Sequence, residues 1–305
     1  MKPKNCLIFG ASGQIGRHII RRLCKNNYKV TAVTRNLHQK GYLLKTQASA
    51  GWIDCVELNI FDENKLRDLV KNADICINLI GILFEKGKFN TFKNIHASFP
   101  FLLSKICKES NVKQLIHLSA LGIDDAKDSS YAKSKLEGES VIKKNFPKAT
   151  FLRPSVVFSV DDNFTTSFMT LLSRLPAFPI FENTKFVPIH VSDLAEIIFQ
   201  VISREISSSV IECVGPETMS FKEILKKLLI LIDKKRLIVP LPRLISKIFA
   251  KIFQLMPTPL ITEDQLRLLK YDNIPSGKYK TNFDIGIPSI SNFDKEVEKY
   301  CYMWR

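Results

Sequence analysis

Residues 6–16 read CLIFGASGQIG, in which four apolar residues run directly into three glycines, Gly10, Gly13 and Gly16. A short buried strand that ends in closely spaced glycines and turns into a helix forms a loop that cradles phosphate. Gly10 permits the sharp turn, Gly13 lets the backbone approach a pyrophosphate, and Gly16 lets the helix pack closely on the strand. The spacing is G-x-x-G-x-x-G instead of the G-x-G-x-x-G of ordinary dehydrogenases. The stretch predicts a dinucleotide-binding loop.

The end of the second predicted strand bears on the kind of dinucleotide. A site that prefers NAD usually has an acidic residue there, which accepts hydrogen bonds from the ribose hydroxyls. This chain has Thr34 and Arg35 instead, and a second cation, Arg17, follows the glycine loop. Because a guanidinium can hold a phosphate through two parallel hydrogen bonds, Arg17 and Arg35 favour NADP(H). A solvated surface arginine at a strand end is the alternative.

The pattern of apolar runs predicts the fold class. Short apolar runs alternate with helical patterns through the first half of the chain, which is typical of a parallel sheet with helices on both faces. We therefore predict an α/β fold with a Rossmann-type doubly wound parallel sheet. The predicted strands are 6–9, 29–33, 53–58, 74–80, 114–119 and 150–157, and the predicted helices lie near 14–25, 62–72, 90–110 and 131–145.

The pattern changes after Pro154, where short segments broken by proline begin. We predict an NADP-binding Rossmann domain over 1–158 and a smaller, mixed C-terminal lobe over 159–305. Within the lobe, 187–214 is expected to return to the Rossmann sheet. Ser192 and Asp193 can cap a helix that runs to about residue 204, and Ser220 can cap the next one.

Composition limits the compartment and the partners. The chain has 305 residues, a net charge of +15 and seven cysteines without a C-x-x-C pair. Scattered cysteines indicate free thiols in a reducing compartment, with neither disulfides nor a zinc site. No nucleic-acid-binding motif accompanies the basic charge, so no nucleic-acid partner is expected. The first residues lead directly into a strand and no long apolar run follows, which predicts neither a signal peptide nor a transmembrane helix.

A second group of residues carries chemistry. Tyr131 and Lys135 are four residues apart, so on a helix they share one face. A lysine ammonium beside a phenol favours the phenolate, and Ser119, at the carboxyl end of a predicted strand, can hold a substrate carbonyl. Ser119, Tyr131 and Lys135 are therefore the candidate catalytic residues for hydride transfer at a nicotinamide.

These residues together resemble a known family. The glycine loop, Ser119 and Tyr131-x-x-x-Lys135 are similar to an extended or atypical short-chain dehydrogenase/reductase, of the type that includes NAD-dependent epimerases and dehydratases. Asn59 departs from the family pattern where an aspartate often meets adenine, and His96 where an asparagine often supports the lysine. The second departure puts catalysis in doubt more than binding. Beyond the glycines and the two arginines, the resemblance implies cofactor contacts by Ser12, Gln14, Ile15, Asn59, Ile60, Leu79, Ile80, Gly81, Tyr131, Lys135, Pro154 and Val157.

A narrower resemblance lies in the segments 118–122, 153–158 and 262–269 and in Asp272-Asn273. They are similar to the NADPH-binding accessory subunit of respiratory complex I and its bacterial relatives. This implies a protein that holds NADPH structurally, with hydrophilic-arm subunits of complex I as partners. It also implies a peripheral place at the cytoplasmic face of the energy-transducing membrane, or the equivalent matrix side. Two alternatives stay open: an active NADP-dependent reductase, dehydrogenase or epimerase on a small carbonyl or sugar-nucleotide substrate, and a redox-sensing regulator.

One further segment, 243–256, predicts an amphipathic helix. Arg243, Lys247 and Lys251 fall on one side of a helical wheel, and apolar residues that include Phe249 and Phe253 fill the other. A basic face opposite an apolar face can lie on an anionic membrane surface. The alternative is a lid helix that packs its apolar side on the C-terminal lobe.

Overall fold

A computed structural model describes residues 3–180, 182–240 and 262–305. Their strands are β1 (Asn5–Phe9), β2 (Lys29–Thr34), β3 (Ile53–Glu57), β4 (Ile75–Asn78), β5 (Gln114–Leu118), β6 (Thr150–Pro154), β7 (Val157–Phe158), β8 (Ala177–Ile180), β9 (Lys185–Phe186), β10 (Ile189–His190), β11 (Val210–Cys213), β12 (Met219–Ser220), β13 (Leu237–Pro240) and β14 (Lys280–Thr281). The α-helices are α1 (Gln14–Lys25), α2 (Leu37–Lys45), α3 (Glu63–Lys71), α4 (Phe99–Glu109), α5 (Ser130–Asn145), α6 (Thr165–Arg174), α7 (Val191–Ser203), α8 (Phe221–Leu231), α9 (Glu263–Leu268) and α10 (Phe293–Glu298), with a π-helical turn at Lys93–Ser98 and a 3₁₀ turn at Cys301–Trp304.

The main sheet has eight strands in the order β3-β2-β1-β4-β5-β6-β11-β14. The pairs from β3 through β6 are parallel. Every residue of β4 and β5 is buried, as expected for central strands that are covered on both faces. The strand order reverses between β1 and β4, and ligands of such sheets bind at the carboxyl edge near that point. The predicted fold class is confirmed. Within the segment 187–214, β11 lies in the main sheet and β10 pairs with β7 outside it.

The described residues divide into two compact units along the chain. One unit comprises Met1–Ala120, Ser134–Arg153 and Leu194–Ile211, and the other comprises Leu121–Lys133, Pro154–Asp193 and Glu212–Arg305. The core of the first unit contains Leu7, Phe9, Phe99 and Phe151 with their neighbours. The predicted boundary between residues 158 and 159 stays a prediction.

The core of the second unit is rich in phenylalanine. Phe168 lies edge-on to Phe178 and Phe221, with ring centroids 5.8 Å and 5.1 Å apart. Beside this cluster, α8 begins with a capping box between Ser220 and Glu223, which confirms the predicted cap. Packing of these aromatic pairs stabilises the short strands of this unit.

In the first unit, two helical regions differ from the sequence-based expectation. The helix α2 was not predicted, because only Gly41 and Leu44 are buried on it and its apolar pattern is weak. The predicted helix 90–110 is a π-helical turn followed by α4. Pro100 has no N–H to donate to the carbonyl of His96, so a regular α-helix cannot continue through this point.

Candidate functional site

The loop after β1 shows why its glycines are needed. Gly10 has φ +78°, and a Cβ there would lie 3.1 Å from the carbonyl carbon of Leu79 and 3.3 Å from the nitrogen of Ile80. A Cβ on Gly16 would lie 2.7 Å from the Cα of Ala11, closer than atoms can approach. The first glycine therefore permits the turn beside the end of β4, and Gly16 permits close packing of α1 on the loop.

Gly13 has a different environment from the other two glycines. It is exposed and precedes α1, and a Cβ on it would meet only the Gly10 oxygen, at 3.3 Å. No side chain caps this helix end. The start of α1 thus combines an accessible backbone with the partial positive charge of a helix N-terminus, which suits a phosphate group.

The two candidate phosphate-binding arginines lie around this loop. The Nε of Arg17 donates to the Gly13 carbonyl at 3.3 Å, and burial together with the charge of Arg21 lowers the pKa of Arg17. Arg35 is exposed at the end of β2, and its Nη1 donates to Asn90 Oδ1 at 3.1 Å. Both arginines belong to the first unit.

The other predicted contact residues around the loop occupy three strand ends. Thr34 Oγ1 donates to Ser12 Oγ at 3.2 Å, which joins the glycine loop to the end of β2. Asn59 is exposed and Ile60 is buried just after β3, and Leu79, Ile80 and Gly81 follow β4. The remaining predicted contact residues are Gln14 and Ile15 in the first turn of α1, Pro154 at the end of β6, and Val157, which pairs with Ile189.

Lys135 is buried at the carboxyl edge of the sheet. Its Nζ donates to the carbonyl oxygen of Leu118 at 3.1 Å, and a Cβ on Gly81 would lie 3.1 Å from the same Nζ. Burial lowers the pKa of Lys135 to about 8, while the negative charge of Glu139 raises it. The structure therefore brings the Lys135 ammonium beside Gly81 and beside Leu118, the residue before Ser119.

Ser119 has a buried hydroxyl that no side chain or backbone group of residues 3–180, 182–240 and 262–305 binds. Its backbone N–H donates to the Leu152 carbonyl at 2.7 Å, which fixes the residue just after β5. Its Oγ has no hydrogen-bond partner among the described residues. Because a buried hydroxyl without a partner is costly, this atom is suited to a hydrogen bond with a ligand.

Tyr131 lies in the first turn of α5, four residues before Lys135 on the same helix. That spacing puts the two side chains on one helix face. Burial raises the pKa of Tyr131 to about 12. Lys135 was expected to lower the pKa of this phenol, but the pKa is raised instead, so the phenol is protonated at neutral pH.

The environment of Lys135 also contains two buried histidines. The Ile82 N–H donates to His96 Nε2 at 3.0 Å, so the ring proton lies on Nδ1, 2.8 Å from Ser134 Oγ. Burial and the charge of Lys135 lower the pKa of His96 to about 3. Burial likewise holds the pKa of His117 well below its usual value. Both rings are neutral and leave Lys135 as the cation of this cluster.

A buried ion pair that was not predicted from the sequence lies next to Lys135. Arg153 donates to both carboxylate oxygens of Glu139, from Nε at 2.9 Å and from Nη2 at 2.7 Å. The spacing from Lys135 to Glu139 is again four residues, a signal that could have placed Glu139 on the same helix face. Nothing in the sequence points to Arg153 as its partner.

Two kinds of feature are absent from residues 3–180, 182–240 and 262–305. No helix in them is both long and apolar enough to cross a bilayer. No group of three or more His, Cys, Asp or Glu side chains in the same ranges could hold a metal ion. The segment 243–256, for which an amphipathic helix was predicted, lies outside the described residues.

The sheet order and the loop after β1 define the class of protein: an α/β protein with a Rossmann-type parallel sheet and a glycine loop that suits a dinucleotide. Comparison with protein families agrees, since the chain belongs to the family of the RmlD substrate binding domain, whose model matches residues 4–229.

Similarity to individual proteins extends over almost the whole chain. It is 26% identical over 290 residues to the mitochondrial NADH-ubiquinone oxidoreductase 40 kDa subunit of Neurospora crassa, covering 94% of this chain and 76% of that protein. It is 24% identical over 295 residues to the mitochondrial NADH dehydrogenase (ubiquinone) 1 alpha subcomplex subunit 9 of Mus musculus, covering 95% and 78%. The crystal structure of the Bordetella bronchiseptica enzyme WbmH in complex with NAD+ has a TM-score of 0.70 at 15% identity, covering 97% of each chain. At that identity the likeness shows a shared fold alone.

Proposed function

We propose that this chain is an NADP(H)-binding accessory subunit of the membrane-bound respiratory NADH:quinone oxidoreductase, complex I. One observation carries the proposal: the similarity to complex I subunits of a fungus and a mouse covers 94% and 95% of the chain. It therefore includes the C-terminal region as well as the sheet that all dinucleotide-binding folds of this kind share. Fold and glycine loop alone favour no particular function.

The residues after β1 fit a nicotinamide dinucleotide. Gly13 leaves room for a pyrophosphate at the start of α1, and the buried Ser119 hydroxyl has no hydrogen-bond partner within the described part of the chain. Such a cofactor would supply a carbon that gives or takes a hydride. The residues proposed to hold it are Gly10, Ser12, Gly13, Gln14, Ile15, Gly16, Arg17, Arg35, Asn59, Ile60, Leu79, Ile80, Gly81, Tyr131, Lys135, Pro154 and Val157.

The proposed preference for NADP(H) rests on charge at the end of β2. That end has Thr34 and Arg35 and lacks a carboxylate that would bind the ribose hydroxyls of NAD. Arg17 and Arg35 can bind the 2′-phosphate. Losing one charge-assisted contact costs about 1.5–3 kcal/mol, or roughly a 10-fold to 150-fold loss of affinity.

Calorimetry tests this preference. We expect the native chain to bind NADPH at least about tenfold more tightly than NADH, and Arg35→Ala to remove most of the difference. Arg21→Ala is the matched control, since Arg21 lies on α1 and donates to Gln47. Equal affinities of the native chain for both cofactors would contradict the assignment of Arg17 and Arg35.

The proposed partners are hydrophilic-arm subunits of complex I. The proposed location is peripheral, at the cytoplasmic face of the energy-transducing membrane or on the equivalent matrix side. Residues 243–256 would contact an anionic membrane surface through their basic and apolar positions.

Purification from native membranes tests the accessory role. Tagged protein extracted in mild detergent should bring complex I subunits with it in a fixed ratio. The tagged protein alone, from membranes in which complex I is intact and active, would contradict the proposal.

The second candidate function is an active NADP-dependent reductase, dehydrogenase or epimerase. The buried Ser119 hydroxyl without a partner favours it, since this atom can donate to a substrate carbonyl. The Tyr131 phenol is protonated at neutral pH and can donate a proton to that oxygen, while Lys135 holds the adjoining ribose. Turnover of a carbonyl substrate with NADPH that falls by about 100-fold in Tyr131→Phe would support this function. Equal turnover in that variant would remove Tyr131 from the mechanism.

A further inference from the structure

The chain between Ser119 and Tyr131 is held by residues 262–273, a segment that the proposed cofactor site leaves without a role. This segment begins with α9, which has a capping box between Thr262 and Gln265. Both the segment and Leu121–Lys133 belong to the second unit.

Asp264 satisfies the first backbone amides of α5. Its Oδ1 accepts from the Ser130 N–H at 2.8 Å, and its Oδ2 accepts from the Tyr131 N–H at 3.0 Å and from Ser129 Oγ at 2.8 Å. The next amide, that of Ala132, donates to Ser129 Oγ at 3.2 Å. The first turn of α5 contains no acidic residue, so the carboxylate that opposes the positive end of this helix comes from a distant segment.

Two more contacts hold the connection between Ser119 and Tyr131, which leads into this turn. Lys270 Nζ lies 2.8 Å from Asp128 Oδ2, and Asn273 Nδ2 donates to the Leu121 carbonyl at 2.8 Å. The connection is therefore held near both of its ends by a single segment. Without such contacts, the first turn of a helix is the part that frays most readily.

We propose that Asp264 is a positioning residue for Tyr131: it binds the N–H of Tyr131 itself and so fixes where the phenol leaves the helix. The functional consequence of this positioning rests on the proposed function, because a displaced phenol would no longer meet the nicotinamide site. Its physical basis, the capping of α5 by Asp264, does not depend on any ligand.

The test measures the NMR signal of the Tyr131 side chain directly. The chain has seven tyrosines, so a sample labelled with ¹³C at tyrosine Cζ gives few signals, and the signal missing from Tyr131→Phe is that of Tyr131. Asp264→Ala should shift or broaden this signal, and amide exchange at residues 130 and 131 should accelerate roughly fivefold or more. Asp264→Asn keeps one acceptor oxygen and should recover part of both effects.

Asp272→Ala is the matched control. Asp272 lies on the same segment and also accepts from a backbone amide, but that amide belongs to Lys185, at 2.8 Å. This variant should leave the Tyr131 signal and the exchange at 130 and 131 unchanged. An unchanged Tyr131 signal in Asp264→Ala would overturn the proposal, and so would an equal effect of Asp272→Ala. If the alanine variant fails to fold, Asp264→Asn gives the same comparison.

Adding NADPH to the native chain separates this inference from the proposed function. A response of the Tyr131 signal to NADPH supports the site, and no response contradicts the proposed function. The comparison of Asp264 and Asp272 variants without nucleotide decides the positioning role in either case.

Discussion

Replacing Glu139 by glutamine removes one charge from the ion pair beside Lys135. Arg153 and Glu139 are joined by two hydrogen bonds, and their side chains are only 3% and 11% exposed. Glutamine has nearly the same shape as glutamate, so the substitution isolates the charge. It removes the carboxylate charge that the Nε and Nη2 hydrogen bonds of the buried Arg153 guanidinium meet.

The size of the effect follows from that burial. Removing one partner of a buried ion pair costs about 3–5 kcal/mol, because the other charge stays desolvated. Whole proteins are stable by only about 5–15 kcal/mol, so Glu139→Gln should lose about a fifth or more of the free energy of unfolding. Since Glu139 also raises the pKa of Lys135, that pKa should fall below about 8 in the variant.

Urea unfolding at pH 7 measures the change. The control is Asp54→Asn, because the pair of Lys29 and Asp54 is 3.0 Å apart but 43% and 58% exposed. We expect that control to cost under about 1 kcal/mol. Replacing both Glu139 and Arg153 by methionine should recover much of the loss, since neither charge of the pair is then left buried without the other. Equal midpoints of native protein and Glu139→Gln, or an equal loss in Asp54→Asn, would refute the reasoning.

Three further predictions concern the same site. Gly16→Ala should lower the unfolding midpoint, because its Cβ would lie 2.7 Å from the Cα of Ala11, whereas Gly13→Ala meets only one oxygen at 3.3 Å and should fold normally. The pKa of Lys135 is lowered from 10.5 to about 8, so between these pH values the unfolded chain binds more protons than the folded chain. The free energy of unfolding should therefore rise with pH in this range, by on the order of 3 kcal/mol. Lys135→Met should lack this rise, and a pH profile identical to that of the native protein would count against a buried lysine. The pKa of His96 is lowered from 6.5 to about 3, so its contribution to stability is present above pH 6.5 and is lost as the pH falls from 6.5 towards 3. Between pH 7 and pH 5, the urea midpoint of His96→Asn should therefore fall less than that of the native protein. An equal fall of the two midpoints would exclude a neutral buried His96.

Local patterns in the sequence were enough to predict much of the fold. The run from Cys6 to Gly16 predicted a strand, a tight turn and a helix, and β1 and α1 lie there. The spacing of Tyr131 and Lys135 placed both on one helix, because helix geometry alone brings residues four apart to the same face. Such features depend only on neighbours in the chain, so a single sequence reveals them.

The features that were missed depend on residues that are far apart in the chain. Asp264 meets α5 across more than 130 positions, and no spacing rule connects them. The pKa of Tyr131 is raised by burial, and that burial depends on residues that only the folded chain brings together. The π-helical turn at His96 was predictable only in part. Pro100 indicates that the α-helical pattern is interrupted, but it does not indicate that a π-helical turn replaces it.

The nucleotide that stays with the freshly purified protein tests the central claim most directly. Protein denatured after rapid purification should release NADPH or NADP⁺ in a ratio approaching one per chain, identified by chromatography and mass. Gly13→Val should fold, as judged by its unfolding midpoint, and release none, because its side chain would fill the space for the pyrophosphate at the start of α1. A native protein that neither retains nor rebinds a nicotinamide dinucleotide, or a folded Gly13→Val that retains as much as native protein, would contradict the account.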